Sequence, residues 1–114
     1  MEDCIFCKII RKELPANVVY EDDLIIAFDD INPKAPVHTL VIPKEHFISL
    51  NDITEAQHAL MGHILLKMQM IAGKKGIDES GYRIVLNTAR DAGQDVFHIH
   101  FHLLGGRRMT WPPG

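Results

Sequence analysis

Three histidines alternate with large apolar residues near the end of the chain, within residues 93–104. A period of two is the signature of a β-strand, so His98, His100 and His102 would share one face while the apolar residues between them face a core. A single histidine on an apolar strand is usually a structural residue. Three in register are costly to bury without partners, and the row therefore indicates a chemical use.

Two uses fit such a row of imidazoles. The rings can converge on a metal ion, or one neutral ring can act as a nucleophile while its neighbours donate hydrogen bonds to a charged substrate. Gly93 and Gln94, just before the row, offer a turn and backbone N–H groups suited to an anion. No acidic residue lies within the row to complete a metal site, so an anionic substrate is the favoured interpretation.

Residues 98–104 resemble the signature of the histidine triad superfamily of nucleotide hydrolases and transferases. The likeness extends through residues 4–12 and 30–43, Asn87 and the closing residues 111–114, and so covers nearly the whole chain. The ending Trp-Pro-Pro-Gly is most similar to the nucleotide-binding branch of the superfamily, the purine nucleoside phosphoramidate hydrolases.

The resemblance implies hydrolysis of a nucleoside phosphoramidate or an adenylylated amine in two nucleotidyl transfers. His100 would be the nucleophile and would form a nucleotidyl-histidine, which water hydrolyses to release AMP or GMP. His102 would donate to a phosphate oxygen as charge develops, and His38 would give a fourth imidazole beside the triad. No cofactor is required for this chemistry, in which His98 anchors the strand that carries the nucleophile.

A purine nucleotide pocket is also implied by the resemblance. Asp30 would accept hydrogen bonds from both ribose hydroxyls, and Asn87 and the backbone around Gln94 would help to hold the phosphate. From the residues alone, Asp30 is as readily an Asx turn beside proline, and His38 a partly exposed strand residue. The remaining positions of the implied nucleotide site are Ile5, Phe6, Ile9, Phe28, Ile31, Leu40, Gly93, Asp95, Val96 and Trp111.

Asp95 is the position at which the sequence departs from the family pattern, because nucleotide-binding relatives often have serine there. A carboxylate at this place would repel the phosphate unless it is turned away or paired. The departure bears on the rate and on the preferred leaving group, and not on the identity of the nucleophile.

Two cysteines, Cys4 and Cys7, form a C-x-x-C motif near the start of the chain. A redox dithiol normally follows a strand in a βαβ unit, and no strand precedes this motif. Two incidental cysteines and one half of a zinc site remain, since the spacing lets both thiolates reach one tetrahedral ion. By resemblance to zinc-containing histidine triad proteins, His46 and His98 would complete a structural zinc site.

The hydrophobic periodicity predicts two helices and five strands. A short amphipathic helix within residues 4–10 would be ended by Pro15, and a long one begins at a Thr54–Gln57 capping box. The strands are predicted at residues 18–21, 24–29, 37–43, 82–87 and 98–104, with a hairpin turn at 22–23 and polar loops at 30–36 and 88–93. These elements predict a single α+β domain over residues 1–114, in which both helices pack on an antiparallel sheet.

Composition sets limits on compartment and partners. The chain has 114 residues, 46% hydrophobic content and a net charge of −3, which is typical of a soluble globular domain. No apolar run approaches the roughly 20 residues that span a bilayer, and the first residues do not form a secretory signal, so a cytoplasmic protein without a membrane partner is expected. The basic residues are dispersed, which argues against nucleic-acid binding.

A homodimer is the expected assembly. An edge strand of an apolar sheet favours pairing with a second copy, so that the sheet continues across a two-fold axis. Trp111 lies so close to the end of the chain that we expect its burial against a partner subunit. The family resemblance also implies such dimers.

Three alternative functions remain open at this point. The first is a histidine triad relative that cleaves dinucleoside polyphosphates with the same nucleophile. The second is a purine nucleotide-binding regulatory protein whose hydrolysis is vestigial. The third and least favoured is a metallohydrolase with zinc on the row of histidines.

Overall fold

Five strands form one antiparallel sheet in this computed structural model, which describes residues 3–114. In chain order the strands are β1 (Val18–Glu21), β2 (Ile25–Asp29), β3 (Val37–Pro43), β4 (Tyr82–Leu86) and β5 (Phe101–Gly105). Their order across the sheet is β1-β2-β3-β5-β4. The last strand therefore lies between β3 and β4, and the predicted α+β class with five antiparallel strands is confirmed.

Two helices cover opposite faces of this sheet. The short helix α1 (Ile5–Ile10) packs Phe6 against Ile26, Phe28, Leu40 and Ile42, and the long helix α2 (His58–Lys74) covers the other face. Since both faces of the central strands are buried, β2 and β3 have continuous apolar sequences instead of alternating ones. The core on the α2 side consists mainly of Ile25, Ala27, Val41, Ile64, Met68, Ile71, Ile99, Phe101 and Leu103.

Helix α2 has the start and the stop that its sequence predicts. The Thr54–Gln57 capping box is present and begins a 3₁₀ turn, Glu55–Gln57, which leads into α2. At the other end Gly76 has a φ of 74°, and the N–H groups of Gly76 and Ile77 donate to the carbonyls of Gly73 and Ala72. This is a Schellman motif, which satisfies the last carbonyls of the helix.

Helix α1 ends where the hydrophobic periodicity predicts, but not for the predicted reason. It stops at Ile10, well before Pro15, because Lys12 takes the left-handed conformation with a φ of 64°. The N–H groups of Lys12 and Glu13 donate to the carbonyls of Ile9 and Lys8, which again makes a Schellman motif. A lysine at the left-handed position gives no sequence signal of this kind, so the prediction that Pro15 ends the helix is wrong.

Two further predictions about local structure are wrong. The polar loop predicted at residues 88–93 contains a four-residue helix, α3 (Ala89–Ala92), and the strand predicted at residues 98–104 begins later. Only His102 of the three histidines lies within β5, because regular pairing begins at Phe101. Extension of the register would place Ile99 opposite Pro43, which has no N–H to donate; the N–H of Ile99 bonds to the carbonyl of Phe47 at 2.7 Å instead.

No helix within residues 3–114 is long and apolar enough to cross a membrane.

Gly105→Ala should lower the free energy of unfolding by about 1–3 kcal/mol, because an added Cβ would lie 2.5 Å from Cδ1 and 3.1 Å from Cβ of Ile77. Gly73→Ala is the matched control, since an added Cβ there meets nothing within 4 Å and alanine favours a helix by up to about 1 kcal/mol. Urea unfolding at pH 7 measures both variants. A neutral Gly105→Ala variant would contradict this packing.

Candidate active site

A cavity of about 360 Å³ lies between α1, the sheet and the histidine row. Its walls are mostly apolar, and His100 and His102 lie together on one side of it. Nine of the positions that the family resemblance assigned to nucleotide contacts line this one cavity: Ile5, Phe6, Ile9, Phe28, Asp30, Ile31, Leu40, Asp95 and Val96.

Four other predicted nucleotide positions, Asn87, Gly93, Gln94 and Trp111, do not line the cavity of their own chain. Gln94 is buried, and its amide donates to the carbonyls of Ile48 and Val96 at 2.6 and 3.1 Å. Its side chain therefore braces the loop. Trp111 is 81% exposed in the single chain, so its predicted burial against a partner stays a prediction.

The connection after α1 supplies cavity residues that sequence reasoning missed. Leu14, Pro15 and Ala16 line the cavity, as does Asp29 at the end of β2. Their position depends on the Schellman turn at Lys12, which redirects the chain across the edge of the cavity. A helix that continued to Pro15 would not have placed them there.

The ring of His100 is held in one orientation by a backbone carbonyl. Its Nδ1 lies 2.8 Å from the carbonyl oxygen of His98, and since a carbonyl only accepts, Nδ1 must carry the proton. Nε2 of His100 therefore has a free lone pair. The ring also packs edge-on against Phe6, with 5.1 Å between ring centroids, so this lone pair is fixed in direction.

A second chain of hydrogen bonds sets the tautomers of His38 and His102. The backbone N–H of Lys34 donates to Nδ1 of His38 at 3.0 Å, which leaves the proton of neutral His38 on Nε2. This Nε2–H donates to Nδ1 of His102 at 2.9 Å. His102 must then carry its own proton on Nε2, a buried atom with no partner within residues 3–114.

Asp30 lies at the rim of the same cavity. One of its carboxylate oxygens accepts from the N–H of Asn32 at 2.9 Å, as an Asx turn requires. Its other oxygen lies 3.5 Å from Nε2 of His38. The turn role and a role in ligand binding are therefore compatible, because they use different oxygens.

A second cluster of ligand atoms lies behind the histidine row. Sγ of Cys4 is 3.4 Å from Nδ1 of His98, Sγ of Cys7 is 3.4 Å from Nδ1 of His46, and the two Nδ1 atoms are 3.1 Å apart. All four ligand atoms lie within 4.8 Å of one another. A tetrahedral zinc ion would set S···N separations of about 3.6 Å and N···N of about 3.4 Å, so the four side chains fit such an ion.

The outer contacts of this cluster also suit a metal. Nε2 of His98 lies 2.8 Å from the carbonyl of Pro43 and so carries the proton, which leaves Nδ1 as the ligand atom. Burial, with the neighbouring thiol of Cys4, raises the pKa of Cys7. A cation would favour the thiolate of such a cysteine.

Residues 11–109 match the family model described as the HIT domain. The chain belongs to the histidine triad (HIT) family. It is 48% identical to the purine nucleoside phosphoramidase of Escherichia coli K12 over 108 residues, 95% of this chain and 91% of that protein. An uncharacterised HIT-like protein of Synechococcus elongatus is 56% identical over 113 residues, 99% of this chain and 98% of that protein.

Solved structures agree with this assignment. The crystal structure of a HIT family hydrolase from Legionella pneumophila superposes with a TM-score of 0.96 at 51% identity, covering 98% of this chain and all of that one. The predicted family and fold are confirmed, and the chain is a HIT family hydrolase.

His102, which lies next to His100, and His38, which bonds to His102, are both kept neutral. Burial, together with the nearby rings of His100 and His38, lowers the pKa of His102 to about 4, and Asp30 and Asp95 oppose the shift. Burial also lowers the pKa of His38, again against Asp30. Neutral rings are what the hydrogen-bond chain from Lys34 to His102 requires.

His102→Gln should reduce the pH dependence of stability. Because the pKa of His102 is about 4 in the folded chain, against 6.5 for an unperturbed histidine, the unfolded chain binds an extra proton between these pH values. The contribution of neutral His102 to the free energy of unfolding is therefore complete above about pH 6.5, and it falls by about 1–3 kcal/mol as the pH drops to 4.

Urea unfolding of wild type and His102→Gln at pH 7, 5.5 and 4 measures this difference. The gap between the two free energies should narrow towards pH 4 if the wild type is the more stable at pH 7. Parallel curves would show that His102 is not held neutral.

Proposed function

We propose that the chain hydrolyses the P–N bond of purine nucleoside phosphoramidates or adenylylated amines through a nucleotidyl-His100 intermediate. Family membership and the named activity of the E. coli relative support a hydrolase that acts on nucleotides. One observation carries the specific proposal: the free lone pair of His100 Nε2 and the unpartnered Nε2–H of His102 lie beside the same cavity.

The nucleoside half of the substrate fits the 360 Å³ cavity. Phe6, Phe28 and Leu40 offer apolar faces to a purine ring, and a buried apolar pocket with few polar groups is typical of small-molecule sites. Asp30 keeps one carboxylate oxygen for the ribose hydroxyls, since the other caps the Asx turn. These contacts would place the α-phosphate next to the histidine row.

In the first step Nε2 of His100 forms a bond to phosphorus while the P–N bond breaks. The electron pair of that bond leaves with the nitrogen, which takes a proton and departs as an amine. The imidazole becomes an imidazolium, with Nδ1–H still donating to the carbonyl of His98. The Nε2–H of His102 donates to a non-bridging phosphate oxygen, as an oxyanion-hole donor does.

In the second step water attacks phosphorus and displaces Nε2 of His100. Water gives up one proton to solvent, which balances the proton that the amine took up, and AMP or GMP is released. We assign the proton for the amine to water and not to His38, because both ring nitrogens of His38 are engaged, with Lys34 N–H and with His102. None of these steps needs a cofactor.

A two-fold homodimer is part of the proposal. Strand β4 lies at an edge of the sheet, Ile84 on it is partly exposed, and Trp111 at the end of the chain is exposed in the single chain. An exposed edge with apolar side chains favours pairing with a second copy.

His100→Ala should lose more than about 10³-fold of the phosphoramidate hydrolysis, because no other ring nitrogen has a free lone pair at this place. The matched control is His58→Ala, since His58 is exposed on α2 and bonds only a local carbonyl. Activity is measured as AMP release from adenosine 5′-phosphoramidate. Mass spectrometry of acid-quenched wild type should show an adenylyl group on the peptide that holds His100.

Full activity of His100→Ala, or an adduct on another peptide, would reject the assigned nucleophile. Tight AMP binding without turnover of any phosphoramidate would favour the nucleotide-binding regulatory protein instead.

We further propose that Cys4, Cys7, His46 and His98 hold one structural zinc ion. Metal analysis should find about one zinc per chain in wild type and almost none in Cys7→Ser, with a lower midpoint of thermal unfolding. His102→Gln is the control. His102 belongs to a second set of possible metal ligands, Asp30, His38 and His102, so its loss should leave zinc bound to the four proposed ligands. Zinc retained in Cys7→Ser but lost in His102→Gln would place the metal on the catalytic side.

A further inference from the structure

A second cavity, of about 450 Å³, adjoins the nucleotide cavity. The two share Ile5, Asp95 and Val96 as lining residues. They therefore meet at the short segment 95–96, directly in front of the nucleophile, since Oδ1 of Asp95 lies 3.5 Å from Nε2 of His100. The full lining of the second cavity is Asp3, Cys4, Ile5, His46, Ile48, Asp95, Val96 and Phe97.

The second cavity is lined mainly by apolar and acidic side chains. Beyond the metal-cluster residues Cys4 and His46, the lining consists of apolar side chains and two carboxylates, and no lysine or arginine of residues 3–114 takes part. Two of the apolar side chains, Phe97 and Ile48, are 63% and 52% exposed. A wall of this composition suits an apolar chain that carries a positive charge, and it repels an anion.

The position of the cavity matches the part of the substrate that the nucleotide cavity does not hold. A phosphorus atom in reach of His100 Nε2 would lie at the junction of the two cavities, about 3–3.5 Å from that nitrogen. If the nucleoside lies in the first cavity, the second cavity is the adjoining space that remains for the leaving group. Asp95 at the junction also requires a positive partner if it is not to repel the phosphate.

We propose that the second cavity is the leaving-group subsite and that Asp95 and Asp3 make it selective for amines that carry a further positive charge on an apolar stem. This inference rests on the proposed function for the reaction itself. It makes Asp95 and Asp3 the residues of this chain that select among leaving amines. It also predicts slower hydrolysis of substrates whose leaving group is an anionic nucleotide, as in dinucleoside polyphosphates.

Three adenosine 5′-phosphoramidates with matched arms test the subsite: a cationic arm from 1,4-diaminobutane, a neutral arm from n-pentylamine and an anionic arm from 4-aminobutyrate. The readout is the ratio of kcat/KM for the cationic arm to that for the anionic arm. Intrinsic P–N reactivity differs among the amines but cancels when this ratio is compared between wild type and a variant.

Asp95→Asn and Asp3→Asn should each reduce the ratio by about 2- to 5-fold, as expected for partly screened ion pairs. Asp78→Asn is the matched control, because Asp78 is an exposed aspartate that lines neither cavity, and it should leave the ratio unchanged. Ratios in Asp95→Asn and Asp3→Asn equal to that of wild type would overturn the proposal.

A binding experiment separates this proposal from the proposed function. If no compound releases AMP, the hydrolase proposal fails, and the subsite is judged by the Kd of each compound for wild type and the two asparagine variants. Tighter binding of the cationic arm, lost in Asp95→Asn and Asp3→Asn, would support the subsite without any turnover. Equal Kd values for all arms would reject it.

Discussion

The placement of His98 is the constraint on which the whole site depends. This fully buried residue makes three different contacts: its Nε2–H donates to Pro43, its Nδ1 faces the two cysteines and His46, and its carbonyl accepts from His100. A carboxylate could orient a catalytic imidazole in the same way, but a carbonyl cannot take the proton. The direction of the free lone pair on Nε2 of His100 is therefore set by the position of a backbone carbonyl.

Pro43 makes that placement feasible. Since proline has no N–H, the β3–β5 ladder stops before Ile99, and the carbonyl of Pro43 is left to accept from the ring of His98. The backbone of His98 likewise lies outside the ladder, so its carbonyl is available to His100. The end of a strand thus creates two acceptors at the place where two rings must be oriented.

Much of this could be predicted from local sequence, and the rest depends on contacts distant in the chain. Alternation predicted correctly that Ile99 and Phe101 face the α2 core while the histidines face the other side. It did not predict where β5 begins, because that depends on Pro43, some 55 positions away. The direction of the Gln94 side chain could not be predicted either, because its amide donates to the carbonyl of Ile48, which is 46 positions away in the chain.

The hydrogen bonds that run from Lys34 through His38 to His102 end at an Nε2–H that has no partner within residues 3–114. A buried donor without an acceptor costs about 1–3 kcal/mol, and the folded chain carries this cost while it satisfies the ring atoms of His38 behind it. Because the N–H of Lys34 can only donate, the hydrogen bonds run in one direction and leave the last proton, on His102 beside the cavity, without an acceptor. A phosphate oxygen would remove the cost on binding, so the polar atom that the fold leaves unsatisfied is the one that a substrate would complete.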